Sequence, residues 1–505
     1  MIVLVLFGFL VHHSIALKPN VLMVMVDDLR PALGVYGDDN AYTPNIDKLA
    51  RKSFVFTNAF AQQALCAPSR NSLLTSRRPD SLHLYDFYSY WRDSVGNFTT
   101  LPQLFKDHGY YTQSIGKIFH PGISSNNTDD SPYSWSGKPF HPRTEKYKES
   151  KVCMTAKGIL ARNLICPVIV DAQPGGTLPD LESLAEAEKF LKEYKDEKPY
   201  FLAVGFHKPH LPLKFPVEYL EHHRGEVVLP VNRWRPSFMP TVAWNPWLDV
   251  KNRDDIKELN ISFPFGLMPD NVTKEIIRNY NAATSYIDDL IGSLLEKIDN
   301  NTIIIVTSDH GWSRGEHGEF SKFSNFDVAT HIPLIIHVPR LSNTEIIIPQ
   351  LVELVDLFPT LVDLTQIVPT LEICNKNGSN LILCTEGHSL VPIMVSKQAR
   401  EGKKAVFSQY PRPGAFPSEI PDSDKPRLKN INIMGYSIRT TRYRYTEWIK
   451  FNHTTFMPDW SKVYGKELYD HLIDALENMN LVTRPELNDL INSMHKQLIL
   501  GWRFS

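Results

Sequence analysis

The sequence predicts an α/β fold built on a large, mostly parallel central sheet, with a smaller α+β subdomain at its C-terminal end. Three observations carry that prediction. "NVLMVMVDD" and "NTIIIVTSDH" are continuous apolar runs ending in acids, the pattern of strands buried on both faces. Helix-patterned stretches alternate with such runs as far as about residue 310. Near residue 400 the pattern changes to short strands separated by turn residues, as in "AVFSQYPR" and "SIRTTRYRYTEW". With 505 residues, 42% hydrophobic content and a formal net charge of -2, the chain has a globular composition. That near-neutral balance gives no whole-protein reason to expect nucleic acid or a membrane as partner, so an anionic substrate must be met by a local cluster of bases.

The elements follow in order. "MIVLVLFGFLVHHSIALKPN" opens with an apolar run too short to span a bilayer, and Ser14-Ile15-Ala16 has small-x-small character, so residues 1–16 read as a signal peptide. No other run is apolar enough for a transmembrane helix. "TPNIDKLARKS" reads as a helix with Thr43 as N-cap and Pro44 at its first position. "FVFTNAFA" reads as a strand leading to Cys66, and Pro68 as the start of a helix over "SRNSLLTS". "DLESLAEAEKFLKEY" before "PYFLAVGFHKPH" is helix then strand. In "KEIIRNYNAATSYIDDLIGSLLEKID", Ile276, Tyr280, Ala283, Ile287, Leu290 and Leu294 recur at helical spacing. Segments 120–180 and 208–270, rich in Pro, Gly, Asn and Trp, read as long loops around a site. The division expected is a catalytic part over 17–395 and a C-terminal subdomain over 396–505 that contributes to the pocket.

Five cysteines leave one over in an oxidising compartment. Cys153 with Cys166, and Cys374 with Cys384, each close a short local loop in polar, turn-rich surroundings. That leaves Cys66 unpaired beside Pro68, Ser69 and Arg70. A buried, inert thiol is disfavoured there, because arginine is seldom buried without a partner. Seven N-x-[ST] sequons, at Asn97, Asn126, Asn260, Asn271, Asn300, Asn377 and Asn452, agree with passage through the secretory route as a glycoprotein.

Ligands of open α/β sheets gather at the carboxyl ends of strands. Two buried strands end here in Asp27-Asp28 and Asp309-His310. If they are neighbours, three carboxylates and an imidazole converge, at a cost unless a cation neutralises them. Oxygen-rich ligation favours Ca²⁺ or Mg²⁺, and the histidine leaves room for a softer metal. The plain alternative is two Asp-capped turns.

Cys66, Pro68 and Arg70 stand in a C-x-P-x-R pattern that resembles the signature of the type I sulfatases. "GYYTQSIGKIFH", Gly109 to His120, is similar to the second signature of that family, while "VDD" and "TSDHG" resemble its metal-binding segments. "SPYSW", "SDHGWSRGEHGEFSKFSNFDVATHIPL" and "SDKPRLKNINIMGYSIRTTRYRYTEW" extend the likeness to the C-terminal part. It is strongest to the members that cleave 2-sulfated iduronate. The resemblance implies an alkaline-phosphatase-like sandwich. It implies an exo-acting hydrolase removing the 2-O-sulfate of terminal L-iduronate residues in heparan sulfate and dermatan sulfate. It also implies that a formylglycine-generating enzyme oxidises Cys66 to Cα-formylglycine.

The implied roles follow residue by residue. The hydrated aldehyde at position 66 attacks sulfur, and collapse of the sulfated intermediate releases sulfate. One Ca²⁺ is held by Asp27, Asp28, residue 66, Asp309 and His310. Arg70 braces the hydrate and the carboxylates. Lys117 and Lys322 meet the remaining sulfate oxygens. His120 assists the hydrate, and His207 protonates the leaving sugar oxygen. Trp312 packs against the sugar face. Lys322, His207 or bases of the C-terminal subdomain take the uronate carboxylate. Lysosomal delivery of a monomer completes the expectation. The competing readings are a related sulfatase or phosphatase acting on another ester, and an inactive glycan-binding homologue.

Overall fold

The computed structural model describes residues 18–155, 157–374, 381–396 and 402–504. The expected signal peptide and the Asn377 sequon lie outside the described residues.

The central sheet has seven strands: β1 (Asn20–Val26), β2 (Phe54–Phe60), β3 (Tyr111–Gly116), β4 (Tyr200–Phe206), β5 (Thr302–Ser308), β6 (His331–His337) and β7 (Ile346–Glu353). Their order is β7-β2-β6-β5-β1-β4-β3. β1 pairs in parallel with both β4 and β5, β3 with β4, and β2 with β7. Only β6 runs against its neighbours, β2 and β5.

The continuous apolar runs are explained by this arrangement. Along β1, Leu22, Val24 and Val26 enter one core while Val21, Met23 and Met25 enter the other. Each face therefore needs an apolar residue at every second position, and no position is left for a polar one. The first face is covered by α1 (Pro44–Ala50), α4 (Pro179–Glu193) and α5 (Asp270–Leu295), which contribute Ile46, Ala187 and Ile287, among others. The second is covered by α2 (Cys66–Thr75), α3 (Leu101–Asp107) and α6 (Leu357–Thr365), through Leu73, Leu104 and Leu361.

A second, four-stranded antiparallel sheet follows: β8 (Ala405–Arg412), β9 (Ile433–Thr440), β10 (Tyr443–Asn452) and β11 (Met457–Asp470), paired in sequence order. β9 and β10 form a hairpin around Thr441-Arg442, the central turn expected in "SIRTTRYRYTEW". β11 is the longest of the four and pairs along nearly all of β10. Helix α7 (Asn488–Leu500) lays Ile491, Met494 and Leu498 on this sheet.

The two sheets are joined by polar contacts. Glu353, ending β7, accepts both terminal nitrogens of Arg78 at 2.8 and 2.6 Å, Lys403 at 2.6 Å and the Phe407 N–H at 3.0 Å. Arg412, ending β8, donates to the carbonyls of Val242, Ala243 and Phe323. The second sheet thereby holds two loops that border the carboxyl end of the first. Cys153–Cys166 and Cys374–Cys384 are disulfides, and Cys66 is free.

Candidate active site

Five strand ends converge on Cys66. β1 delivers Asp27 and Asp28, β3 delivers Lys117, β4 delivers His207, and β5 delivers Asp309 and His310. β2 leads into the turn before α2. β1 and β5 are adjacent, so the two acidic strand ends do meet. The tight exit from β3 depends on glycine. Gly116 has φ +74, and a Cβ there would stand 2.1 Å from the Gly205 carbonyl oxygen on β4. Only a residue without a side chain lets the backbone at Lys117 turn against β4.

α2 begins at Cys66 itself, two residues earlier than read from the sequence, with Pro68 in its first turn. Residue 66 thus sits at the positive end of the helix. All ten residues of α2 are buried, including Cys66 and Arg70. This corrects the sequence-based objection to a buried thiol. Arg70 is fully enclosed because it has partners from distant strands. Its Nη2 donates to Asp27 Oδ1 at 3.0 Å and its Nε to Asp309 Oδ2 at 2.8 Å. It also donates to the carbonyls of Lys117 and Ile118.

Around the thiol, Lys322 Nζ and His310 Nε2 each lie 3.4 Å from Cys66 Sγ. Lys322 Nζ is also 2.5 Å from Asp28 Oδ1, and Lys117 pairs with Asp27 Oδ2. Three carboxylates are thus met by three bases. The charge argument for a cation is therefore weaker than the sequence suggested. A different observation supports one: Asp28 Oδ2 is buried with no partner. Asp27, Asp28, Cys66 and His310 each offer a ligand atom within 4.8 Å of the others. The two carboxylates suit a hard divalent ion, the imidazole tolerates one, and the Cys66 sulfur is the single soft donor of the set. Asp309 stands just behind this group. Its Oδ1 accepts the N–H groups of Asp28 and His310, and its Oδ2 accepts Arg70.

The electrostatics are uneven. Burial opposes ionisation of Asp27, yet the Lys117 ammonium and the Arg70 guanidinium hold it well below the usual carboxylate range. For Asp28 burial wins over Lys322 and moves the carboxyl up. Burial, then Asp27, pushes the Cys66 thiol up to about 12, so an unmodified thiol stays protonated. Lys117 and Lys322 are raised despite burial, by Asp27 and Asp28 respectively, and remain cationic. Burial, aided by Lys117, holds His120 well below the ordinary histidine range; its ring is stacked on Phe87 at 4.3 Å. Burial likewise lowers His310.

His207 is almost fully buried at the end of β4. Its N–H donates to Asp180 Oδ1 at 2.6 Å, and its Nε2 lies 3.9 Å from Glu145 Oε2. Trp312 is placed differently from expectation. Its indole is fully enclosed in the first core and stacked on Tyr280 at 5.3 Å, so it offers no face to a sugar. The large apolar ring is worth more beneath the site than at its mouth. Sequence reasoning missed Asp180, Glu145, Lys148, His210 and Lys425. Asp180 opens the quoted "DLESLAEAEKFLKEY" and read only as a helix start. Lys425 lies in "SDKPRLKN", and its Nζ stands 5.4 Å from the Phe323 ring, over which Lys322 also lies at 5.8 Å. A second acidic and imidazole cluster, Asp327, His471 and Glu477, is bound up in ion pairs with Arg439 and Arg444.

Comparisons with known proteins agree with this geometry. A family model described as Sulfatase matches residues 19–367. Human iduronate 2-sulfatase is 46% identical over 509 residues, covering 93% of this chain and 92% of the human one. Among solved structures, a putative sulfatase from Bacteroides thetaiotaomicron superposes with a TM-score of 0.67 at 20% identity, covering 96% of this chain and 92% of that one. The phosphonate monoester hydrolase of Agrobacterium radiobacter superposes with a TM-score of 0.68 at 20% identity, covering 96% and 95%. At that identity the two structures speak for the fold, the alkaline-phosphatase-like sandwich.

Proposed function

Because this chain belongs to the sulfatase family, we propose that it is an exo-acting sulfuric ester hydrolase removing the 2-O-sulfate of terminal L-iduronate 2-sulfate residues in heparan sulfate and dermatan sulfate. The observation that carries the chemistry is the setting of the one free thiol. It stands at a helix start, between Lys322 and His310, over a carboxylate pair with an unpartnered oxygen. The substrate follows the human relative, whose likeness extends over both sheets.

Cys66, converted to formylglycine, supplies a hydrated aldehyde as nucleophile and a built-in route for releasing sulfate. A divalent cation, Ca²⁺ in this reading, fits Asp27, Asp28, residue 66 and His310 with Asp309 behind, and supplies Lewis acidity toward a sulfate oxygen. Lys117 and Lys322 present their ammonium groups to the other sulfate oxygens and to the charge that develops there. Arg70 fixes Asp27 and Asp309 in place and helps to keep Asp27 charged. His120, held neutral by burial, accepts a proton on its ring as sulfate is released. His207 gives a proton to the departing sugar oxygen. Lys425, on the side of the C-terminal sheet and against the same Phe323 ring as Lys322, takes the uronate carboxylate.

Exposure of Asn97, Asn126, Asn260, Asn271, Asn300 and Asn452 supports a glycosylated protein, which we place in the lysosome as a monomer. No helix among the described residues is long and apolar enough to cross a membrane. The test is turnover of a 2-O-sulfated iduronate disaccharide beside a 6-O-sulfated glucosamine. Preference for the glucosamine overturns the specificity and leaves the sulfatase chemistry standing.

A further inference from the structure

We propose that Asp180 is the positioning residue of the proton donor, fixing which nitrogen of His207 faces the substrate. The inference rests on the reading of His207 as the acid. Asp180 is the second residue of α4 and is 1% exposed. A carboxylate in a first helical turn ordinarily serves the N–H groups of its own helix. This one does not. Its Oδ1 accepts the His207 N–H at 2.6 Å and lies 3.3 Å from His207 Nδ1, and its Oδ2 accepts the Lys208 N–H at 3.1 Å. Both oxygens are turned onto the loop leaving β4.

The hydrogen count decides the tautomer. A carboxylate only accepts, so the hydrogen between the two side chains sits on Nδ1 of His207. Nε2 is then the nitrogen that holds the transferable proton and faces away from α4. When the bond from sulfur to the sugar oxygen breaks, its electron pair stays on that oxygen, which takes the proton from Nε2. His207 is left neutral, with Nδ1–H still donated to Asp180, and water later returns the proton.

The other charged groups facing His207 are Glu145, 3.9 Å from Nε2, and Lys208, whose Nζ is tied to the carbonyls of His210 and Pro212. Lys148 stands 3.7 Å from Glu145, and Lys214, in the short strand Leu213–Pro216, interacts electrostatically with Glu145 and Asp180. None of these contacts Nδ1, so Asp180 alone sets the tautomer.

A structural role would also predict damage on substitution, so the test must separate the two. Asp180→Asn, His207→Gln and the double variant are assayed on the 2-O-sulfated iduronate disaccharide across pH, with thermal melts of each. Asp180→Asn is expected to lower kcat on the order of 100-fold with little change in KM, within what a general acid contributes. In the His207→Gln background the same substitution costs less than about twofold, because the partner is gone. Equal losses in both backgrounds overturn the positioning role while leaving the acid in place. Full activity of His207→Gln overturns the acid itself. Should Asp180→Asn not fold, ¹⁵N spectra of histidine in the native enzyme decide. A neutral His207 carrying its hydrogen on Nδ1 agrees with the proposal, and one carrying it on Nε2 contradicts it.

Discussion

Replacing Arg70 by methionine removes a charge from the centre of the site while keeping a long side chain. The guanidinium is fully buried and spans Asp27 at 3.0 Å and Asp309 at 2.8 Å. Deleting one partner of a buried ion pair costs about 3–5 kcal/mol, because the other charge is left uncompensated. Here Asp27 keeps Lys117, and Asp309 keeps two backbone N–H donors, which points to the lower end. With an unfolding entropy of about 2.1 cal/mol/K per residue over 505 residues, about 3 kcal/mol lowers Tm by roughly 3 °C. Differential scanning calorimetry with excess Ca²⁺ reads that shift, and turnover is lost in parallel. Arg70→Lys restores charge but cannot reach both carboxylates, so it falls between. A Tm for Arg70→Met equal to or above that of the parent would refute the reasoning, for it would mean the two carboxylates do not need this cation.

Other outcomes follow from the same structure. Cys66→Ser abolishes turnover and leaves the thermal melt nearly unchanged, since a small buried side chain replaces another; normal activity in that variant defeats the mechanism. Prolonged EDTA treatment removes activity and Ca²⁺ restores it; indifference under exchange conditions counts against the metal assignment. Burial pushes the Glu319 carboxyl up to about 8, with one oxygen on the Asn245 N–H and the other unpartnered. The folded state then holds a proton that the unfolded chain has released above about pH 4.5, so this group's contribution is full below that pH and is lost as pH rises toward 8. Melts at pH 5 and pH 8 are expected to differ less for Glu319→Gln than for the parent, and an unchanged difference contradicts the burial effect. Lys425→Ala is expected to raise KM for the uronate substrate more than it lowers kcat; the reverse pattern removes it from carboxylate binding.

The parallel sheet was legible because a strand buried on both faces leaves an unmistakable run such as Val21–Val26. The convergence of Asp27, Asp28, Asp309 and His310 was legible as well, since strand ends of a parallel sheet share one edge. What escaped depended on partners far along the chain. Arg70 looked unfit for burial until Asp27 and Asp309 came to meet it from 43 and 239 residues away. Trp312, in a polar segment, gave no sign that Tyr280 of α5 would enclose it. Asp180 looked like a helix start, because the loop it serves begins 27 residues later. Glu145 and Lys148 sit in a turn whose sequence has no periodicity to place it.

The chemistry rests on the state of one side chain. Mass spectrometry of the peptide containing residue 66, taken from enzyme of measured activity, reads that state directly. The mechanism predicts the aldehyde, in a fraction that tracks specific activity across preparations. Fully active enzyme carrying only the cysteine thiol at position 66 would contradict it.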